Sequence, residues 1–255
     1  MIRPINNSNR VSPIYLLPNL LTLGAMFGGF FAIVQSIYGD FISCGIAIFI
    51  AMILDSLDGR VARLTHTASP FGAELDSLSD MVSFGVAPAI IAFNWHLHEM
   101  GKIGWLVTFI FCACGSLRLA RFNTLIGIVD KRYFVGLPIP SAAALVVGYI
   151  YMCSKFGFDE KYSHIIGVVV TLFAAFSMVC NVPFYSFKEF TFYHKAKFRI
   201  LLLSLMFLVL LFLYPDIVIY GFFVAYTLIS YVLYIINIKK ASAIANALEE
   251  NDPEF

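Results

Sequence analysis

Five of the 16 acidic residues fall within 26 positions of the chain: Asp55, Asp58, Glu74, Asp76 and Asp80. Asp55 and Asp58 stand at i, i+3, and Asp76 and Asp80 at i, i+4, so on helices each pair occupies one face. Carboxylates gathered this closely need compensating cations, because like charges oppose one another's ionisation. With no cysteine and no paired histidine nearby, a ligand set made only of oxygens favours hard ions such as Mg²⁺, Mn²⁺ or Ca²⁺. Two such ions about 3.5–4 Å apart serve displacement at a phosphoryl group. The chemistry indicated is a metal-assisted reaction on a phosphate; the plainer alternative is that Arg60, Arg63 and water neutralise the acids.

The elements that must position these acids are membrane helices. Of the 255 residues, 60% are apolar or aromatic and 13% are charged, about half the charged fraction of an ordinary globular domain, roughly 25%. The solvent of such a chain is lipid. A formal charge of +1 gives no general basic field and argues against nucleic acid as a partner. Cys44, Cys112, Cys114, Cys153 and Cys180 all lie in apolar runs without metal-site spacing, and read as buried thiols.

Eight stretches approach the roughly 20 apolar residues that a spanning helix needs: 15–38, 41–60, 74–97, 103–123, 137–155, 164–184, 198–214 and 216–237. The division of the last two rests on Tyr214, Pro215 and Asp216, and counts of seven or nine are the alternatives. The first run is too long for a signal peptide and has no small-residue cleavage site after it. With eight spans, one side of the membrane receives every lysine and arginine except Lys102, Lys155 and Lys161, which places both termini in the cytoplasm. The fold expected is an all-α polytopic bundle forming one catalytic domain over 1–240. A short polar tail, ending in Glu249, Glu250, Asp252 and Glu254, follows over 241–255. Asp55/Asp58 near the end of the second span and Asp76/Asp80 near the start of the third then lie at similar depth on the cytoplasmic side.

Written out, the stretch reads Asp55-x-x-Asp58-Gly59-x-x-Ala62-Arg63, eight residues, then Gly72-x-x-x-Asp76-x-x-x-Asp80. It resembles, without gap or substitution, the signature of the CDP-alcohol phosphotransferase family, integral membrane enzymes that exchange the CMP of a CDP-linked lipid for an alcohol. Further segments, Pro18 to Thr22, Asp76 to Pro88, Gly115 to Asn123 and Gly136 to Pro140, resemble the phosphatidylserine synthase branch across roughly the first 145 residues.

That resemblance implies CDP-diacylglycerol and L-serine as substrates and two Mg²⁺ or Mn²⁺ ions, with Ca²⁺ able to occupy the same oxygens. It implies a homodimer in the cytoplasmic membrane. Asp55, Asp58, Asp76 and Asp80 would be metal ligands, and Asp80 would also take the proton from the attacking hydroxyl. Asp58, Gly59, Ala62, Arg63 and Gly72 would form the CDP site. The residue types agree: a serine hydroxyl gains from a positioned base, and CMP leaves as a phosphate that needs no acid. Gly59 lets a nucleotide approach the helix backbone, or allows close helix packing. Arg63, one turn on, suits a bidentate diphosphate contact or serves as a topogenic charge. Ala62 and Gly72 are small enough to admit a helix or cytidine. Arg118 and Arg121, at i, i+3, suit the serine carboxylate or a lipid phosphate as well as they suit topology, and Asn123 adds a polar group.

Gly24 and Gly28 form a GxxxG pattern that marks helix packing within the chain. His96, His98 and Glu99 resemble a metal cluster, but with Trp95 they read as interfacial residues of the opposite membrane face. Two rival readings remain: a relative that takes glycerol 3-phosphate or inositol, and a cation transporter with acids lining an ion path.

Overall fold

The computed structural model describes residues 16–125, 133–158, 160–180, 182–185 and 197–251. Arg3, Arg10, Lys131, Arg132, Lys188 and Lys195, used in the orientation reading, lie outside them, as do Asp252 and Glu254. The chain is a helical bundle: α1 Leu16–Ile37, α2 Phe41–Leu64, α3 Pro70–Asp80, a π-helical turn Met81–Val86, α4 Ala87–Trp95, α5 Lys102–Leu125, α6 Ile139–Phe156, α7 Glu160–Val179, α8 Lys197–Leu213 and α9 Pro215–Asn251. Two three-residue strands, Tyr133–Val135 and Pro183–Tyr185, pair antiparallel with Phe134 opposite Phe184.

Seven helices are long and apolar enough to cross a bilayer, with α3, the π turn and α4 acting as one 26-residue span, Pro70–Trp95. The expected eighth is shorter. Lys197 and Arg199 open α8, and its apolar run extends from Ile200 to Leu213. At 1.5 Å per residue its 17 residues cover about 25 Å, at the short end of the roughly 17–25 residues that spanning helices use. Helix continuity does break at Tyr214, and α9 starts at Pro215, where proline costs no hydrogen bond. Asp216 in its first turn accepts from Tyr151 Oη at 2.6 Å and pairs with Lys155, tying α9 to α6. The polar stretch after 240 continues α9 to Asn251, as its alanine-rich composition favours.

Small residues set the packing. A Cβ on Gly24 would come within 3.2 Å of the Leu54 side chain, and one on Gly28 within 3.1 Å of both Ala47 O and Ala51 Cβ. The GxxxG pattern therefore joins α1 to α2 inside the chain. Gly29 is tighter still, with Ser83 Cα 2.5 Å from where its Cβ would stand. Ser79 and Ser83, one turn apart, donate to Thr22 O (2.9 Å) and Ala25 O (3.0 Å) and fasten the third span to α1. Of the span-length helices α6 is the most buried and α9 the least. The segment Gly136 to Pro140 leads into α6 and has a structural reason: Gly136 adopts φ +83°, and a Cβ there would stand 2.3 Å from Met178 O. The Gly136 and Leu137 amides donate to Val182 O and Ser177 O.

Candidate active site

The turn between α2 and α3 is what brings the acids together. Thr65 caps α2, its hydroxyl donating to Val61 O at 2.7 Å, and the Thr67 amide reaches back to Ala62 O at 2.9 Å. Ser69 caps α3 by accepting from the Gly72 amide at 3.1 Å, with Pro70 in the first turn. The chain thus reverses within a few residues, and α3 runs back until its second half, Asp76 to Asp80, comes level with Asp55 of α2.

Asp55 of α2 and Asp76 and Asp80 of α3 each offer a carboxylate oxygen, all within 4.8 Å of one another. Asp58, one turn further along α2, is 5% exposed and accepts a hydrogen bond from the Thr22 hydroxyl at 2.6 Å. It lies beside the trio rather than in it. Glu74, the fifth acid of the cluster, is exposed. Among the described residues no lysine or arginine forms an ion pair with these carboxylates, so Arg60 and Arg63 do not neutralise them by contact. One oxygen of Asp80, Oδ1, is buried with no hydrogen-bond partner among the described residues. A buried orphan oxygen is costly. An all-oxygen donor set with one oxygen left over fits a divalent hard cation.

Next to the trio lies a cavity of about 190 Å³ between α1, α2 and the start of α3. Asp58, Gly59, Ala62, Arg63, Gly72 and Asp76 all border it. The five residues expected to contact CDP therefore share one wall system. A Cβ on Gly59 would meet only Arg63 Nη1, at 3.5 Å. No helix backbone presses on Gly59, so its bareness opens the cavity rather than allowing helix packing. Gly72 is more confined, with Ser69 Oγ at 3.3 Å and Asn19 Oδ1 at 3.4 Å from its would-be Cβ.

The α5 candidates separate. Arg118 is buried, packs its guanidinium 5.5 Å from the Phe122 ring centroid, and lies within electrostatic reach of Asp80 and Tyr226. Arg121 and Asn123 are exposed, and Asn123 donates to Ser77 Oγ at 3.0 Å, bridging α5 to α3. Sequence reasoning missed Thr22, which hydrogen-bonds Asp58, and Ser79, which bonds the Thr22 backbone. Their signal was present in the segments Pro18 to Thr22 and Asp76 to Pro88, but hydroxyls inside apolar runs give no hint of their partners.

A family model for CDP-alcohol phosphatidyltransferases matches residues 15–180. The chain belongs to the CDP-alcohol phosphatidyltransferase family. It is therefore an enzyme of phosphatidyl transfer in a multi-pass membrane domain, and the ion-path reading falls away. Curated relatives include a CDP-diacylglycerol–serine O-phosphatidyltransferase of Helicobacter pylori, 38% identical over 205 residues, covering 80% of this chain and 85% of the relative. A protein of the same name from Methanocaldococcus jannaschii is 46% identical over 123 residues, 48% of this chain and 58% of the relative. An archaetidylserine synthase of Methanothermobacter thermautotrophicus is 34% identical over 180 residues, 70% and 73% of the two chains.

Proposed function

We propose that the chain transfers the phosphatidyl group of CDP-diacylglycerol to the hydroxyl of L-serine and releases CMP. The observation that carries the reading is the Asp55/Asp76/Asp80 trio, with its unpartnered Asp80 oxygen, beside a cavity bordered by Gly59 and Arg63. The names of the relatives support serine as the acceptor.

Asp55, Asp76 and Asp80, with Asp58 alongside, would hold Mg²⁺ or Mn²⁺. Bound there, two ions would supply charge stabilisation for the diphosphate and the departing CMP. The residues of the chain do the rest. The cavity takes the CDP head, the bare face of Gly59 lets the nucleotide come close, and Arg63 offers its guanidinium to the diphosphate. The lipid tails stay in the bilayer. Serine Oγ attacks the lipid-side phosphorus, its proton passes to Asp80, and the bond from that phosphorus to the CMP oxygen breaks with its electron pair on CMP. Arg118, the buried cation of the group, would hold the serine carboxylate.

Attack is direct. The cavity's lining includes no cysteine or histidine, and its hydroxyls serve the fold: Thr22 ties α1 to α2 by donating to Asp58, Thr67 pairs with Thr65 at 2.7 Å in the α2–α3 turn, and Ser69 caps α3 by accepting from the Gly72 amide. The site would face the cytoplasm of the cell's inner membrane with both termini on that side, α8 crossing as an eighth span. The protein would act as a homodimer, which the mass of the solubilised particle tests.

The deciding experiment offers purified protein CDP-diacylglycerol with Mg²⁺ or Mn²⁺ and, separately, serine, glycerol 3-phosphate or inositol. Metal-dependent CMP release with serine is expected. Release only with another acceptor would keep the chemistry and discard serine.

A further inference from the structure

The third span carries a second cluster of metal-ligating groups at the end opposite the aspartates. α4 stops at Trp95, and a 3₁₀ turn, Leu97–Met100, follows. His96 Nδ1 lies 3.4 Å from Glu99 Oε1, and the Glu99 amide donates to His96 O at 3.1 Å, folding the glutamate back over the histidine. The third member comes from far along the chain. His164, in the first turns of α7, stacks its ring on that of His96 with centroids 4.0 Å apart. His96, Glu99 and His164 each offer a ligand atom, all within 4.8 Å of one another. His98, the neighbour that the sequence pattern suggested, instead turns to Phe93 O at 3.1 Å.

The two imidazoles are held from below. Trp95, 5% exposed, sets its indole edge-on to His96 at 5.3 Å, to His164 at 5.8 Å and to Tyr149 at 5.8 Å. Gly167, one turn after His164, makes room for it: a Cβ there would stand 2.9 Å from the Trp95 ring. The Tyr149 hydroxyl fixes the same turn of α7 through Ser163 O at 3.0 Å. His96 and His164 are half-buried and Glu99 is exposed, so an ion can enter from water.

We propose that His96, Glu99 and His164 form a second divalent-metal site, chemically distinct from the aspartate trio, that clips α4 to α7. Two imidazole nitrogens and one carboxylate suit Zn²⁺ and its borderline neighbours Co²⁺ and Ni²⁺ rather than Mg²⁺. Sixteen residues of near-continuous helix separate Asp80 from His96, about 24 Å, so an ion there takes no part in phosphatidyl transfer. Its effect is on folding, because it binds only where the two helices meet.

The test is Zn²⁺ retention by full-length protein in detergent, after chelation and re-loading in excess Mg²⁺ so that the aspartates are occupied. One zinc per chain is expected, with a rise in the melting temperature and, on Co²⁺ substitution, a visible ligand-field band. The double variant His96→Ala/His164→Ala should lose the retained zinc, the temperature shift and the band while eluting as a monodisperse particle. Glu99→Gln changes an exposed side chain that the fold does not need and replaces an anionic ligand by a neutral one, so the variant should retain less zinc than wild type. Equal zinc retention in wild type and Glu99→Gln, or no retention by wild type above the Mg²⁺-saturated background, would overturn the proposal and leave an aromatic cluster only.

Discussion

The two ends of the third span hold ligand clusters of opposite character. At one, three carboxylates from α2 and α3 meet beside an open cavity, with Asp80 Oδ1 left unpartnered. At the other, two imidazoles and a carboxylate from α4's end and α7 sit on an indole that fills the space beneath them. Reaction on a bulky diphosphate needs open volume next to hard ions; a clip between helices needs neither. The contrast teaches that a cluster of ligands gains a function from what adjoins it, and small residues decide that: Gly59 faces open space, whereas Gly167 is filled by Trp95.

Variants at the aspartate end should give the largest effect. Asp80→Asn should lower kcat for CMP release by about 10²–10⁴-fold with the melting temperature held, whereas His164→Ala should leave kcat in place. Equal losses from the two would erase the distinction between the ends. Arg118→Met should come next. A charged hydrogen bond to substrate is worth about 1.5–3 kcal/mol, so kcat/KM for serine should fall about 10–150-fold with the KM for the CDP-lipid little changed. A loss confined to the lipid would move Arg118 from the acceptor to the phosphate.

Glycine variants sharpen the comparison between open and filled space. Gly29→Ala forces backbone apart at Ser83 and should destabilise by about 1–3 kcal/mol. Gly59→Ala meets only the end of Arg63 and should leave stability alone while raising the KM for CDP-diacylglycerol. Thermal unfolding beside steady-state kinetics reads both. Smallest should be Asn123→Ala, which removes the exposed hydrogen bonding between Asn123 and Ser77 and should cost under about 1.5 kcal/mol with activity within a few-fold.

Much of the aspartate end was legible in the sequence because it is local: all four acids, Gly59, Arg63 and Gly72 fall within 26 positions, and helix periodicity fixes their faces. The spans were legible from hydropathy, and the run 198–214 corresponds to α8, Lys197–Leu213. What could not be read were partners far apart in the chain. Thr22 finds Asp58 across 36 positions, and His164 lies 68 positions from His96. A single hydroxyl or histidine in an apolar helix has no spacing pattern to betray it. The π turn after Asp80 was equally invisible, since its sequence reads as ordinary helix.

The most direct measurement mixes enzyme in excess with CDP-diacylglycerol and Mg²⁺ in a single turnover, first without serine and then with it. Direct attack by the serine hydroxyl predicts no CMP until serine is added, and a full turnover afterwards. A burst of about one CMP per chain before serine, with the phosphatidyl group retained on the protein, would contradict it and require a nucleophile among the residues of the chain.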